Sequence, residues 1–352
     1  MARTLMKGNE ALAKAAINSG CTHFFGYPIT PQNEIPEYLA RELPKHGGVY
    51  LQAESELAAI HMVYGAAATG GRVMTSSSSP GIALMQEGLS VLAAAQLPCV
   101  VLNVQRAGPG IGGIQPGQAD YRQMTRGGGN GDYRIPSLAP ATIQESVEMM
   151  SEAFEIAERY RSPVFIVSDG MLGQMMEPVE FSDQKKVPAP PKTWAAVGHQ
   201  NSRKPIIIKT MSLVPEILEE NNKVLQQKYR TIEKQECRHE LFRTDGAEII
   251  ITSYGSTSRI VKDAIEILAH EGIKAGLIRA KTLWPFPVQP FDQLAYPCTH
   301  VLCVEMNCGQ MLDDVRLAVK ERFPVSFYGR CGGVIPTPGE IADHVKDIFG
   351  RR

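Results

Sequence analysis

"PCVVLNVQR", residues 98–106, is apolar almost without interruption and β-branched at Val100, Val101 and Val104. A strand with one wet face alternates apolar and polar residues, whereas a strand covered on both faces reads as a continuous apolar run. "PVFIVSD", residues 163–169, has the same character. Working outward, residues 22–26, 49–53 and 72–77 read as further short strands. Helical stretches at 9–18, 54–69, 80–95 and 145–160 separate them, and a helix from Pro31 to about Leu43 follows the first. Such alternation implies a parallel sheet with helices on both faces. From Ala247 a second α/β unit begins, with "AEIIITSYGS" (247–256) as strand and turn and "TSRIVKDAIEILAHEG" (257–272) as an amphipathic helix. "HVLCVEMNCGQM" (300–311) is a further strand and loop. The expected fold is therefore α/β, with two doubly wound parallel-sheet domains over residues 1–180 and 245–352. No internal repeat is visible, though the two halves can share a topology.

Residues 181–244 differ in character. "SDQKKVPAPPKTW" (182–194) is a Pro/Lys connector, and 213–242 form a highly charged helix that faces solvent or packs across a domain boundary. Residues 107–137 are long, glycine-rich and aperiodic, yet carry Tyr121, Tyr133, Arg122, Arg126 and Arg134. A loop of that length inside a compact domain is usually functional or disordered, and these side chains argue against a mere linker.

Composition narrows the function classes. A hydrophobic content of 43% is enough for sizeable cores in a chain of 352 residues. The formal net charge of -1 offers no electrostatic reason to expect nucleic acid or an anionic membrane as partner. No apolar run reaches the ~20 residues that cross a bilayer, and "MARTLMKG" lacks a signal-peptide core, which points to a cytoplasmic protein. The seven cysteines contain no C-x-x-C pair and the eight histidines no H-x-x-x-H pair, so no metal or iron–sulfur site is expected on this chain. There is no P-loop, no G-x-G-x-x-G opening a helix and no G-x-S-x-G elbow.

Four places can carry chemistry. "FGYPITPQNE" (25–34) reads as a stiff strand-to-helix elbow, with Tyr27-Pro28 extended and Thr30 as N-cap before Pro31 at the first helical position. Such an elbow suits an anion. Glu54 and Glu56 stand at a strand-to-helix junction followed by small residues that let a ring approach; equally, they complement a helix dipole. "TSSSSPG" (75–81) offers hydroxyls and free amides, though serines near turns are common. Arg106 ends the buried strand, where α/β sheets bind ligands. Its guanidinium can grip a carboxylate through two parallel hydrogen bonds, or anchor the following loop to a surface acid.

Taken in order, "GYPITPQNEI", "ESELAAIHMVYGAA", "TSSSSPG", "NVQRAGPG", "GGNGDY" and "EMNCGQM" resemble the alpha subunits of 2-oxoacid:ferredoxin oxidoreductases, from about residue 4 to 345. The closest likeness is to the 3-methyl-2-oxobutanoate (2-ketoisovalerate) type, with the 2-oxoglutarate type near. The resemblance implies a thiamine diphosphate pyrimidine-binding domain at 1–180, a linker with a charged helix at 181–244 and a transketolase C-terminal-like domain at 245–352. It implies that Glu56 is catalytic and hydrogen-bonds the aminopyrimidine ring, and that Thr30 and Arg106 bind the substrate carboxylate. Tyr27, Pro28, Glu56 and Ser78 would line the cofactor. The family's diphosphate-binding G-D-G is missing; Ser168-Asp169-Gly170 is nearest and stands in the wrong half. A beta subunit would then supply Mg2+ and the diphosphate side. A gamma subunit, a ferredoxin-like delta subunit with [4Fe-4S] clusters, ferredoxin and coenzyme A complete the implied set. A ferredoxin-independent thiamine enzyme and a non-catalytic scaffold of the same fold are the rival expectations. For the substrate side chain, Arg122, Arg126 or Arg134 could take a second carboxylate, and Ile111, Ile114 and Met124 could form apolar walls.

Overall fold

Every residue of Cys99–Gln105 and Pro163–Asp169 is buried, and the two strands lie side by side in parallel. The computed structural model describes residues 3–181, 190–199 and 201–350. In chain order it begins with β1 (Thr4–Lys7), α1 (Gly8–Asn18), β2 (His23–Gly26), α2 (Glu34–Glu42), β3 (Val49–Gln52), α3 (Glu56–Ala68) and β4 (Val73–Ser77). Next come α4 (Ser79–Leu84), α5 (Gln86–Ala94), β5 (Cys99–Gln105), α6 (Tyr121–Arg126) and β6 (Ser137–Leu138). α7 (Ile143–Tyr160), β7 (Pro163–Asp169), α8 (Gly170–Gln174) and β8 (Met176–Val179) follow. α9 (Pro215–Gln235) leads to β9 (His239–Phe242), β10 (Ile249–Tyr254), α10 (Thr257–His270), β11 (Ala275–Ala280), β12 (Thr282–Trp284) and α11 (Gln289–Asp292). β13 (His300–Glu305), α12 (Leu312–Val319), β14 (Val325–Gly329) and α13 (Pro338–Ile348) complete the order.

The first sheet runs β3-β2-β4-β5-β7-β6, parallel throughout, and the second runs β11-β10-β13-β14, also parallel. In both, the first strand of the unit lies inside the second, so strand order reverses beside it. The two halves thus share a doubly wound topology without sharing sequence. Each sheet also carries an antiparallel edge strand that periodicity did not foresee. β9 pairs with β11, and β12, from the C-terminal half, pairs with β6 of the first sheet. These edge strands are short and sit beside a strand contributed from far along the chain, so no local pattern marks them.

One hydrophobic core runs across both halves. It joins Tyr121 and Tyr133 from the 107–137 segment to Tyr254 and Trp284 of the C-terminal half. The charged helix α9 belongs to it through a single buried stripe, Leu225, Tyr229 and Ile232. Spacing of four and three residues puts these on one face, and Tyr229 meets Trp284 edge-on with ring centroids 5.9 Å apart. Both readings of this helix hold: most of it faces solvent, and its one buried stripe packs across the boundary. Part of the Pro/Lys connector, residues 182–189, lies outside the described residues.

Two polar clamps lock the halves together. Gln118 has no exposed surface; its backbone N–H donates to Met306 O (3.0 Å) and its Nε2 to Tyr254 O (3.0 Å). Its Oε1 accepts from Thr257 Oγ1 (2.8 Å) and from the Met306 N–H (3.1 Å). The second clamp is Arg279 of β11, which donates to both carboxylate oxygens of Glu145 in α7, at 2.8 and 2.6 Å, and through Nε to Glu240 at 2.6 Å. Burial alone would raise the Glu145 carboxyl. The hydrogen bonds and charge of Arg279, helped by Lys281 and the Ala141 N–H, outweigh it and hold the group at about 2.

A depressed carboxylate contributes stability that is present above its unfolded pKa and lost as pH falls through its folded one. On acidification from about 4.5 to 2, the native chain should lose ~2–3 kcal/mol through Glu145. Glu145→Gln should lower the urea midpoint at pH 7 and flatten its decline over that acid range. Parallel acid profiles for the two proteins would show that the clamp contributes nothing.

Candidate active site

In an open parallel sheet the backbone parts where strand order reverses, leaving a crevice at the carboxyl ends of the strands. In the first sheet that point lies between β2 and β4, and the residues singled out by sequence gather there. Gly26 ends β2 and leads into the Tyr27-to-Pro31 turn; Ser77 ends β4 and leads into Ser78 and Ser79. Arg106 follows β5, and Glu56 opens the helix after β3.

Glu56 is buried at the first position of α3, whose N-cap Ser55 accepts the Ala58 N–H at 3.1 Å. One carboxyl oxygen accepts from Ser77 Oγ at 3.4 Å, and the other has no hydrogen-bond partner among the described residues. The carboxyl rests on Gly81. A Cβ there would lie 2.4 Å from Glu56 Oε1 and 2.0 Å from Ser77 Oγ, so only glycine admits the carboxyl in this position. Glu54, by contrast, is exposed.

The elbow differs from expectation. Thr30 does not cap a helix: α2 begins at Glu34, with Asn33 before it and no side-chain cap. The reason is a buried polar network that claims the backbone of 29–32. Asn9 Nδ2 and Gln174 Nε2 both donate to Pro31 O, at 2.8 and 3.1 Å. Ser76 Oγ donates to Gln32 Oε1 at 2.6 Å, and the Gln32 side chain reaches back to Tyr27 O. Thr30 itself is half-buried, its hydroxyl accepting from Asn33 Nδ2 at 3.4 Å, while Tyr27 and Pro28 stand exposed at the rim.

Arg106 ties these segments together without an acidic partner. Its Nη1 donates to Thr30 O at 3.0 Å and its Nη2 to Ile111 O at 2.6 Å. Its Nε is buried and unpartnered, and a guanidinium has five N–H groups, so most of its donors remain uncommitted. Ser79 fixes its backbone: Ser79 Oγ accepts the Arg106 N–H at 3.0 Å and donates to Asp120 at 2.5 Å. Asn103 Nδ2 also donates to Asp120, at 2.9 Å. Burial raises the Asp120 carboxyl, against the pull of Ser79, Asn103 and Arg106. Ser78 Oγ is buried with no partner. Glu56, Thr30, Arg106 and Ser78 therefore share one layer. Of the residues that build it, Gln32 lies in the elbow and Ser77, Ser79 and Gly81 in the serine run, though none was singled out there, and no motif marked Asp120.

Three other expectations end elsewhere. Arg122 pairs with Asp313 at 2.7 Å and Arg126 with Asp314 at 2.6 Å, both on α12. Arg134 donates to Tyr133 O and lines a separate cavity beside Trp284. Asp169 caps α8, accepting from the Met171 and Leu172 N–H groups, and accepts the Ser256 hydroxyl from the C-terminal half.

Residues 14–238 match the family described as pyruvate flavodoxin/ferredoxin oxidoreductase, thiamine diP-binding, and residues 247–341 match pyruvate:ferredoxin oxidoreductase core domain II. The chain belongs to the 2-oxoacid:ferredoxin oxidoreductase family. It is 44% identical over 350 residues to the ketoisovalerate oxidoreductase subunit VorB of Methanothermobacter thermautotrophicus, covering 99% of each chain. It is 36% identical to the 2-oxoglutarate synthase subunit KorA of Archaeoglobus fulgidus, covering 94% of this chain and 95% of that one. Among solved structures, 2-oxoglutarate:ferredoxin oxidoreductase from Magnetococcus marinus superposes with a TM-score of 0.87 at 30% identity. That match covers 98% of this chain and 65% of that longer one. A split-gene transketolase, at 14% identity and a TM-score of 0.63, shares the fold. As a family member the chain is an oxidoreductase subunit of the VorB type, and its relatives are subunits of multi-chain enzymes.

Thiamine diphosphate is the family's cofactor, and the layer fits its pyrimidine side. A buried carboxyl with an uncommitted oxygen, a glycine surface with no Cβ and an unpartnered Ser78 hydroxyl suit a flat ring carrying hydrogen-bonding nitrogens. Gly81→Ala should therefore displace Glu56, costing ~1–3 kcal/mol of stability and most of the thiamine affinity of the assembled complex. Urea unfolding and calorimetric titration check both; an unchanged midpoint and affinity would show that Glu56 does not depend on Gly81.

Proposed function

We propose that this chain is the alpha subunit of an oxidoreductase that converts 3-methyl-2-oxobutanoate and coenzyme A to the branched acyl-CoA and CO2, with the electrons passing to ferredoxin. What carries the proposal is Glu56: a buried carboxyl, backed by Gly81 and Ser77, in the same layer as Arg106 and Thr30. When bound, thiamine diphosphate supplies the carbon nucleophile and the electron sink for decarboxylation. Glu56 shares a proton with the pyrimidine ring, Tyr27 and Pro28 bound the ring at the rim, and Ser78 gives its free hydroxyl to it. Arg106, through its uncommitted N–H groups, and Thr30 hold the substrate carboxylate. Residues 1–180 act as the pyrimidine-binding domain, 181–244 as linker, and 245–352 as the transketolase C-terminal-like domain.

The choice of side chain rests on which cations are spoken for. A 2-oxoglutarate site needs a second positive group, but Arg122 and Arg126 are held by Asp313 and Asp314, and Arg134 lies off the site. Ile111, whose carbonyl already meets Arg106, is 81% exposed and free to close over an aliphatic chain. Met124 is buried in the core, and of the two exposed isoleucines Ile111 is the one whose carbonyl meets Arg106, so Ile111 is the wall best placed.

The segments that border the layer carry exposed apolar side chains: Tyr27, Leu51, Leu57 and Leu84 are all more than a third exposed. That rim suits a beta subunit carrying Mg2+ and the diphosphate-binding half, which would seal the layer from water. The remaining partners are a gamma subunit and a ferredoxin-like delta subunit with [4Fe-4S] clusters that relay the electrons to ferredoxin.

The deciding experiment is CoA-dependent viologen reduction by the anaerobically isolated complex, with 3-methyl-2-oxobutanoate, 2-oxoglutarate, pyruvate and an aryl 2-oxoacid compared. Preference for the branched acid is expected. Preference for 2-oxoglutarate would overturn the substrate, and decarboxylation without viologen reduction would overturn the ferredoxin link. In the same assay Glu56→Gln should lower turnover by ~10²–10⁴, the worth of a positioned acid–base group. Near-normal turnover would remove Glu56 from catalysis.

A further inference from the structure

The loops that leave the carboxyl ends of β13 and β14 each carry one exposed thiol, Cys308 and Cys331. The strands run parallel with Glu305 opposite Gly329, so the two cysteines leave the sheet edge side by side. The Arg330 N–H donates to Glu305 O at 3.3 Å, holding the second loop against the first. The Cys308 loop is itself well anchored. The Glu305 carboxylate accepts the Met311 and Leu312 N–H groups and Asn307 Nδ2, at 2.9, 3.1 and 2.8 Å. Across it, Asn307 Nδ2 also reaches Gln118 O at 2.7 Å. The Cys331 thiol beside it pushes the Cys308 thiol up. Both line one cavity of about 500 Å3, which Ala107, Gly108 and Pro109 also line.

The other cysteines are placed differently. Cys21, Cys99, Cys298 and Cys303 are buried and Cys237 is half-buried, and burial pushes Cys21 and Cys99 up to about 12. A thiol attacks only as its thiolate and only where an oxidant can reach it. Among the described residues, exposure and a neighbouring thiol coincide at this pair alone.

We propose that Cys308 and Cys331 are a modification site that peroxide converts to a reversible intrachain disulfide. One thiolate attacks a peroxide oxygen; the O–O bond breaks, a sulfenic acid forms and hydroxide leaves. The second thiolate attacks the sulfenic sulfur, the S–S bond forms and a second hydroxide leaves. Two protons released by the thiols turn both hydroxides into water, so hydrogen peroxide is reduced by the two electrons the sulfurs give up. The first loop is pinned by Glu305 and Asn307, so the Cys331 loop makes the adjustment. The bond lies on the wall of the cavity next to the loop that follows Arg106. Geometry selects the partner thiol, and neither step depends on the reaction proposed above.

The test uses the reduced full-length chain, exposed to hydrogen peroxide, alkylated with iodoacetamide and digested without reductant. Mass spectrometry should find the Cys308 and Cys331 peptides joined, two hydrogens lighter than their sum, and separated again by dithiothreitol. In Cys308→Ser, which removes an exposed side chain and should unfold at the same urea concentration as wild type, Cys331 should go on to sulfinic acid instead. Recovery of both cysteines of the wild-type chain as separate alkylated thiols, as separate sulfinic acids, or as bridges to other chains would overturn the proposal.

Discussion

A buried amide, Gln118, fixes together with the Arg279–Glu145 clamp how the two halves of this molecule meet. Its side chain and backbone bond Tyr254, Thr257, Met306 and Asn307, all on the far side of the boundary. A buried amide left unpaired costs ~1–3 kcal/mol for each orphaned group, so the halves cannot slide past one another without breaking several bonds at once. Gln118 also closes the segment that begins at Arg106. Ala107 N–H donates to Gln115 O, and Arg106 bridges to Pro116, so the segment folds back on itself before reaching the clamp. The end of β5 is thereby held from both sides, and with it the guanidinium that meets Thr30.

The layer at the strand ends is polar where most of the core is not. Ser78 Oγ and Arg106 Nε are buried without partners, while Glu56 keeps an uncommitted oxygen. Interiors seldom tolerate such groups in number, because each has given up water and received nothing. Their gathering at the point where strand order reverses makes sense if a polar ligand completes them, as the proposed binding of the pyrimidine ring and the substrate carboxylate does. Gly81 belongs to the same logic: the missing side chain is what lets the carboxyl lie against the turn.

Much of the fold was legible because its signals are local. β5 and β7 declare double-sided burial in seven residues each, and Ser55 and Thr142 cap α3 and α7 from one position away. Glu56 and Arg106 could be located because they border such elements. Thr30 was placed on the right turn but given the wrong local role. Proline after threonine is a sound helix-start signal, yet Asn9 and Gln174, distant in the chain, claim the Pro31 carbonyl, and Ser76 claims the Gln32 side chain. The 107–137 segment looked structureless because its order comes from Tyr121 and Tyr133 packing into a core shared with the other half, not from periodicity.

Periodicity and strand burial, each read over a few residues, were enough for the parallel α/β architecture, the motif order for the family, and the strand ends for the neighbourhood of the site. Tertiary structure decided which groups are free to act. Arg122 and Arg126 are removed from the substrate question by acids nearly two hundred positions away on α12. Arg106 keeps its donors because, among the described residues, no carboxylate pairs with it, and Cys308 lies beside Cys331 because two parallel strands end together. Hydrogen bonding and charge pairing act through space at a few ångströms. Which side chains come within that range depends on how the sheets pack, and no window along the chain contains it.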